Sequence, residues 1–250
     1  MSTVIEFKDV SKRYGDNIVI PNFNLAIEKG EFVTIIGSSG CGKTTILKMI
    51  NGLYEPSEGE IFVNGENIRY KDMIELRRSI GYAIQGSILF PHMNVSQNIS
   101  YVPRLLNKKN VEKTEQAVNK WMDIVGLEHS LRDRFPDELS GGQLQRVYIA
   151  MALAQSTDII ILDEPTTFLD IKYQKSIMKL VRDLNKSLGI TIIMVLHDIN
   201  QALAYSDNII ALHDGKVIKN DKAENFFDEE LLNKLYDADI KIEDGKVISW

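Results

Sequence analysis

Residues 37–44 read Gly-Ser-Ser-Gly-Cys-Gly-Lys-Thr, a G-x-x-x-x-G-K-[ST] pattern that is typical of a phosphate-binding loop. The β-branched run of residues 32–36 precedes the loop, and helix-forming residues 43–53 follow it. This strand–loop–helix context predicts that backbone N–H groups of the loop and the positive end of the helix bind a triphosphate. The stretch therefore predicts an α/β fold built around a phosphate-loop core.

The loop residues divide into those that shape the backbone and those that contact the ligand. Gly40 and Gly42 let the chain curl without a side-chain clash. Lys43 is expected to neutralise β- and γ-phosphate oxygens, and the Thr44 hydroxyl to bind Mg²⁺. Cys41 lies inside the loop, where the positive helix end is expected to lower its thiol pKa. The predicted nucleotide-binding residues of the loop are Gly37, Ser38, Ser39, Gly40, Cys41, Gly42, Lys43, Thr44 and Thr45.

Two carboxylates follow a short apolar run further along the chain. Residues 159–164 read Ile-Ile-Ile-Leu-Asp-Glu, which predicts a buried strand that delivers both acids at its carboxyl end. Ligands bind at this end of the strands in open α/β sheets. We expect Asp163 to hold Mg²⁺ through water and Glu164 to polarise the attacking water.

A second glycine-rich turn lies between the phosphate loop and the two acids. Residues 139–143 read Leu-Ser-Gly-Gly-Gln, and Ser140 is placed to cap a helix predicted for residues 140–154. Gly141 and Gly142 leave backbone N–H groups accessible at that N-terminus, so the turn is a second anion site. One chain does not need two triphosphate sites of this kind. The turn is therefore expected to act on a nucleotide held by a neighbouring chain.

Length and charge limit the remaining possibilities. The chain has 250 residues and a net charge of −6, which suits one large domain and argues against non-specific binding to nucleic acid or anionic lipid. Its single cysteine excludes an intrachain disulfide and favours a cytosolic location. Residues 1–6 lack the pattern of a signal peptide. The longest apolar stretch, residues 188–196, is about half the length that spans a bilayer.

Hydrophobic periodicity and turn residues place further elements along the chain. Residues 86–155 have helical rather than strand-like patterns of apolar residues. This segment is therefore predicted to form a helical subdomain, inserted into an α/β core of residues 1–85 and 156–250. Beyond the phosphate loop, predicted helices cover residues 111–125, 140–154 and 171–188. Predicted strands cover residues 4–10, 18–27, 31–36, 59–64, 80–85, 158–162, 190–196, 208–212 and 216–219, with a hairpin within residues 240–250.

The two glycine-rich motifs, in this order, resemble those of the nucleotide-binding subunit of an ATP-binding cassette (ABC) transporter. The likeness extends from Tyr14 to His197. It implies a RecA-like P-loop NTPase core with an antiparallel β subdomain and a helical signature subdomain. It also implies that Tyr14 stacks on adenine and that His197 contacts the γ-phosphate. Gln85 is expected to reach Mg²⁺ and the attacking water.

The resemblance further implies an ATPase that works as a pair. Two copies close around two ATP, with the phosphate loop of one chain facing the signature turn of the other, and Asp170 contacts the opposite subunit. Hydrolysis then drives transport through a separate membrane permease that docks near residues 89–95, and the resemblance favours import. We also expect a substrate-binding protein as a further partner and a location at the cytoplasmic face of the membrane. The signature residues that face the nucleotide are Ser140, Gly141, Gly142 and Gln143.

Alternatives remain open at this point. A soluble ABC ATPase of translation or DNA repair is the runner-up, but translation types usually carry two cassettes and repair types a long coiled coil. A non-hydrolysing binding module is disfavoured because Glu164 and His197 are both present. The transported substrate is not decided, since some stretches resemble importers of quaternary amines and others importers of iron chelates. Phe168 and Leu144 depart from the commonest family pattern.

Overall fold

Two main β-sheets, a separate two-stranded sheet and the helices that cover them make up the described part of the protein. The computed structural model describes residues 2–84, 86, 89–106, 110–167, 169–226, 228–243 and 246–249. The strands are β1 Thr3–Tyr14, β2 Asn17–Glu28, β3 Phe32–Gly37, β4 Glu58–Val63, β5 Glu66–Asn67, β6 Ile80–Ala83, β7 Ile159–Asp163, β8 Thr191–Val195, β9 Asn208–His213, β10 Lys216–Lys222, β11 Lys241–Glu243 and β12 Lys246–Ser249. The helices are α1 Lys43–Ile50, α2 Met73–Arg78, α3 Val95–Leu106, α4 Val111–Val125, α5 Gly141–Leu153, α6 Ile171–Leu188, α7 Ile199–Tyr205 and α8 Glu229–Tyr236.

The larger sheet has six strands in the order β10-β9-β3-β8-β7-β6. All neighbours in it are parallel except β9 and β10. Every residue of β3, β7 and β8 is buried, as expected for parallel strands that are covered on both faces. The near-continuous apolar runs in these strands are therefore explained by their central place in the sheet.

Side chains of the central strands alternate between two cores. Val33 and Ile35 of β3 belong to the core that includes α1 and the smaller sheet. Phe32 and Ile36 belong to the core on the opposite face, which takes in the larger helices. The smaller sheet is antiparallel with strand order β2-β1-β4-β5. The predicted α/β class and the antiparallel β subdomain are thus confirmed.

Helices α3, α4 and α5 lie in the segment predicted to be a helical subdomain, and each of them packs on the other two. The predicted helices 111–125 and 171–188 match α4 and α6 residue for residue. Both helices are closed by capping residues, with Asn110 and Asp170 at the N-caps and glycines at the C-caps. The division of the chain at residues 85 and 155 stays a prediction.

Several predicted boundaries differ from the structure. Helix α1 ends at Ile50 rather than residue 53, because Gly52 takes a positive φ of 66°. Strand β6 ends at Ala83, two residues earlier than predicted. Helices α2, α7 and α8 span eight residues or fewer and were not predicted, because so short an apolar pattern is hard to recognise. Among the described residues, no helix combines the length and apolarity needed to cross a bilayer.

Asn185 joins three elements from inside the protein. Its side-chain N–H group donates hydrogen bonds of 2.8 Å to the carbonyl oxygens of both Gly30 and Ile190. We expect Asn185→Ala to lower the free energy of unfolding by about 2 kcal/mol, because it leaves buried carbonyls unsatisfied. Urea denaturation of Asn220→Ala, at an exposed position, is the control and is expected to change stability by less than about 0.5 kcal/mol. Equal unfolding midpoints for the two variants would contradict this assignment.

Candidate active site

The predicted reactive residues meet at one edge of the larger sheet. Parallel strands end at the same edge, so the loop after β3, the acids ending β7 and the residue following β8 come together there. The loop, Glu164 and His197 line a cleft of about 360 Å³. Its lining residues are Ser39, Gly40, Gly42, Lys43, Thr44, Thr45, Glu164 and His197.

The phosphate loop has the backbone that its glycines predicted. Gly40 and Gly42 have φ values of 80° and 101°, in the left-handed region that favours glycine. A Cβ on Gly42 would lie 2.4 Å from a methyl carbon of Ile20, so only glycine fits without a shift. Helix α1 begins at the next residue, Lys43, and its free N–H groups therefore face the loop.

Lys43 lies almost fully buried in this loop. Its ammonium donates 2.8 Å hydrogen bonds to the carbonyl oxygens of Gly37 and Ser38. A buried charge is costly unless it is hydrogen-bonded, and the loop carbonyls meet that need. The cation is thus held next to the N–H groups that would bind phosphate oxygens.

Asp163 is the most buried carboxylate of the site, with 2% of its surface exposed. Thr44 donates a hydrogen bond of 3.3 Å to its Oδ1. Its Oδ2 is buried and has no hydrogen-bond partner within the described part of the chain. Burial raises the pKa of Asp163, the Thr44 hydroxyl opposes that effect, and the charge of Glu164 adds to it. A carboxylate with an unused oxygen beside a hydroxyl is a donor set that suits Mg²⁺.

Glu164 and His197 form a contact pair at the mouth of the cleft. The Nε2 of His197 lies 2.7 Å from Oε1 of Glu164, and Thr167 donates a hydrogen bond of 3.2 Å to Oε2. The backbone of Glu164 has a φ of 52°, which is uncommon for a residue with a side chain and is often found at active sites. The carboxylate is therefore held from two sides on a strained turn.

Tyr14 lies beside the same loop, at the end of β1. Its ring is about half exposed and meets the ring of Tyr54 edge to face, with centroids 6.0 Å apart. The Lys12 ammonium lies 5.0 Å from the Tyr14 ring centroid, and the Tyr14 hydroxyl interacts with the Thr45 side chain. This position is compatible with the predicted contact between Tyr14 and a nucleotide base.

The signature turn does not line the cleft formed by the phosphate loop. Ser140 is exposed and caps α5, where its backbone N–H donates to Gln143 at 2.8 Å and its hydroxyl accepts from the Gln143 N–H at 3.4 Å. A Cβ on Gly142 would lie 2.6 Å from the ring of Tyr173, so a larger residue would push that ring away. Asp170 caps α6 by accepting a hydrogen bond from the Tyr173 N–H. One chain thus brings the phosphate loop, Glu164 and His197 to one cleft that no signature residue lines, while Gly141 lines a neighbouring cleft with the two acids.

Two residues singled out from the sequence, Gln85 and Phe168, lie outside the described residues.

The predicted lowering of the Cys41 pKa is wrong. The thiol is buried, and burial raises its pKa despite the Lys43 ammonium 3.9 Å away. Thr167 was missed, although a threonine three residues after Glu164 could have been recognised as a hydroxyl that turns back to hydrogen-bond.

Comparison with known proteins gives a consistent result. Residues 20–167 match the family described as ABC transporter. A carnitine transport ATP-binding protein of Listeria monocytogenes is 42% identical over 239 residues, which cover 92% of this chain and 60% of that protein. A glycine betaine uptake system ATP-binding protein of Escherichia coli strain K12 is 42% identical over 86% of this chain and 70% of that protein. An Fe(3+) ions import ATP-binding protein of the same strain is 39% identical, over 86% of this chain and 61% of that protein.

Solved structures agree with these relatives. A dimeric ATP-binding cassette in a post-hydrolysis state, bound to ADP and Pi, is 36% identical with a TM-score of 0.79, covering 89% of this chain and all of that chain. A part of an ABC transporter complex from Clostridium perfringens is 33% identical with a TM-score of 0.84, covering 94% of each chain. The chain spans about three fifths of the length of the Listeria relative.

The corrected environment of Cys41 predicts low thiol reactivity. The thiolate is the reactive form, and a raised pKa reduces its fraction at pH 7 to 8 below that of a free cysteine. We expect the native protein to react with an aromatic disulfide reagent at least about tenfold more slowly than the guanidinium-unfolded protein. The chain has one cysteine, so the unfolded sample is its own control. Equal rates in the two states would show that Cys41 is accessible and ionised.

Proposed function

This chain belongs to the ABC transporter family, and we propose that it binds and hydrolyses ATP to drive transport through a separate membrane permease. The observation that carries the proposal is the cleft that joins Lys43 and Thr44 to Glu164 and His197. It holds a cation, a hydroxyl, a carboxylate and an imidazole around one space beside a helix N-terminus. Phosphoryl transfer to water needs this combination of charge neutralisation and water positioning.

The phosphate loop and Asp163 account for nucleotide and metal binding. When a triphosphate occupies the loop, the Lys43 ammonium exchanges two carbonyl partners for phosphate oxygens, and hydrogen bonds to charged oxygens are stronger. Thr44 and Asp163 would hold Mg²⁺, which neutralises charge on the β- and γ-phosphates. The unused Oδ2 of Asp163 supports this assignment, and Tyr14 would contact the base.

Glu164 and His197 account for hydrolysis. Glu164 is fixed by the Thr167 hydroxyl and lies in contact with His197, so its carboxylate is directed into the cleft. In this position it polarises the attacking water, and His197 contacts the γ-phosphate. Gln85 is assigned to Mg²⁺ and the attacking water by resemblance alone.

The signature turn accounts for dimerisation. It is an anion site at a helix N-terminus, yet none of its residues lines the cleft of its own phosphate loop. A second copy would supply it, so that Ser140 and Gly142 of one chain cover the nucleotide held by Lys43 of the other. Asp170 would then lie near the shared interface. The post-hydrolysis cassette that resembles this chain is dimeric, which supports this arrangement.

The membrane partner is inferred from the relatives and the helical segment. Three relatives are named for transport, uptake or import, which favours an importer over a soluble ATPase. The permease would dock near residues 89–95, where Pro91 lines a surface depression together with Arg134 and Phe135. The proposed complex also includes a substrate-binding protein, and the chain would bind at the cytoplasmic face of the membrane. Osmolytes and ferric iron both occur among the relatives' names, so the cargo class stays open between them.

Glu164→Gln tests the proposed catalytic role. We expect kcat for ATP hydrolysis to fall at least about 100-fold, because an amide cannot accept the proton of water. ATP affinity, measured by equilibrium dialysis, is expected to stay within about threefold, since the loop that binds phosphate is intact. Glu112→Gln, an exposed acid on α4, is the control and keeps full turnover. Turnover of Glu164→Gln within a few-fold of the wild-type chain would remove Glu164 from this role.

Mixing two inactive variants tests the shared site. Lys43→Ala and Ser140→Arg chains are each expected to hydrolyse almost no ATP. A dimer of one of each keeps one intact site, made of Lys43 from one chain and Ser140 from the other, so a mixture regains activity. The control replaces the second variant by a chain that carries both changes, because no intact site then forms. If the first mixture stays inactive, each chain acts alone or the signature turn has another task.

A further inference from the structure

A buried tyrosine links the signature helix to the end of an edge strand. Tyr148 lies two turns into α5, about 12 Å along the helix from Ser140, and 7% of its surface is exposed. Its hydroxyl accepts a hydrogen bond of 2.5 Å from the backbone N–H of Ile84. Ile84 follows β6, whose last sheet pair is Ala83 with Leu162. The Ile84 N–H is therefore beyond the sheet ladder, and the Tyr148 hydroxyl satisfies it.

The same side chain lines a cleft that reaches the two catalytic carboxylates. This cleft of about 230 Å³ is lined by Tyr148 and Ile84 on one side and includes Gly141 from the signature turn, with Asp163 and Glu164 also on its wall. Burial raises the pKa of Tyr148 to about 12, the Ile84 N–H lowers it, and the charge of Asp163 raises it. The phenol is thus neutral at physiological pH and acts through its hydrogen bond.

Helix α5 and strand β6 have little freedom to slide past each other. A Cβ on Gly81 would lie 2.8 Å from the Ala152 carbonyl oxygen. The Gly81 N–H also donates a 3.0 Å hydrogen bond to the Thr157 hydroxyl, just beyond α5. Close-packed elements transmit a displacement instead of absorbing it. A movement of α5 is therefore expected to reach the end of β6.

We propose that Tyr148 is a positioning residue that couples the signature helix to the end of β6 and, through the pairing of β6 with β7, to the two acids. The proposal rests on the function proposed above, in which the first turn of α5 contacts a nucleotide held by a second copy. When that contact forms, the Tyr148 hydroxyl carries the displacement of α5 to the Ile84 backbone. Ala83, the residue before Ile84, pairs with Leu162, which directly precedes Asp163. Nucleotide contact at one chain would thus reach the strand that carries the two acids.

Tyr148→Phe tests this coupling because it removes the hydroxyl and keeps the ring. We expect kcat for ATP hydrolysis to fall about fivefold, the effect of one neutral hydrogen bond. The KM for ATP is expected to stay within about twofold, since Tyr148 does not line the phosphate-loop cleft. Turnover is expressed per nucleotide-binding chain, so a partly unfolded sample does not imitate the effect. Amide hydrogen exchange of the peptide that contains Ile84 is expected to speed up.

Tyr205→Phe is the matched control. Tyr205 packs against the core cluster that contains Tyr148 but lines neither cleft. The kcat and KM of the Tyr205→Phe variant are therefore expected to stay within about twofold of the wild-type values. A Tyr148→Phe kcat within twofold of wild type would overturn the proposal, whatever the effect on thermal stability. Unchanged exchange at Ile84, or an equal loss in Tyr205→Phe, would also overturn it. If the wild-type chain hydrolyses ATP and the Tyr148→Phe variant does so equally fast, only the coupling is contradicted. If the wild-type chain does not hydrolyse ATP, the proposed ATPase function itself is contradicted.

Discussion

The parallel pairing of β3, β8 and β7 is the constraint on which the site depends. Val195 of β8 pairs with Ile35 on one side and Asp163 on the other. This register brings the loop after β3, the acids of β7 and His197 to the same edge of the sheet. A slip of one residue would turn each side chain to the opposite face, and Asp163 would then leave the Thr44 hydroxyl. The apolar strands thus set the geometry of the polar site.

The site contains features that a stable fold would otherwise avoid. Asp163 keeps a buried oxygen without a hydrogen-bond partner in the described part of the chain, and Glu164 has a left-handed backbone. Each costs free energy. Asp163 is the last residue of β7 and Glu164 follows it, and every residue of that strand is buried. The surrounding apolar packing can hold such groups in place. A ligand that satisfies the Asp163 oxygen would then stabilise the folded chain.

Much of this arrangement could be predicted from the sequence because its signals are local. Hydrophobic periodicity gave the bounds of α4 and α6, and the motifs located the loop, the acids and the signature turn. What failed depended on contacts between distant segments. The burial of Cys41 outweighs the nearby helix end, and the hydrogen bond between Tyr148 and Ile84 spans 64 positions. No periodicity or motif encodes such a contact. A local signal also misled the prediction of α3, because Pro103 lies inside that helix and proline usually indicates a helix end.

In the proposed dimer, each chain carries half of two nucleotide sites, so that ATP brings two chains together. Multi-angle light scattering on the wild-type chain, with saturating ATP and a chelator to prevent hydrolysis, measures this directly. We expect the monomer mass of 28.4 kDa without nucleotide and twice that mass with ATP. A mass that stays at the monomer value, while dialysis shows ATP bound to every chain, would rule out the shared site, because the signature turn would then have no nucleotide to cover.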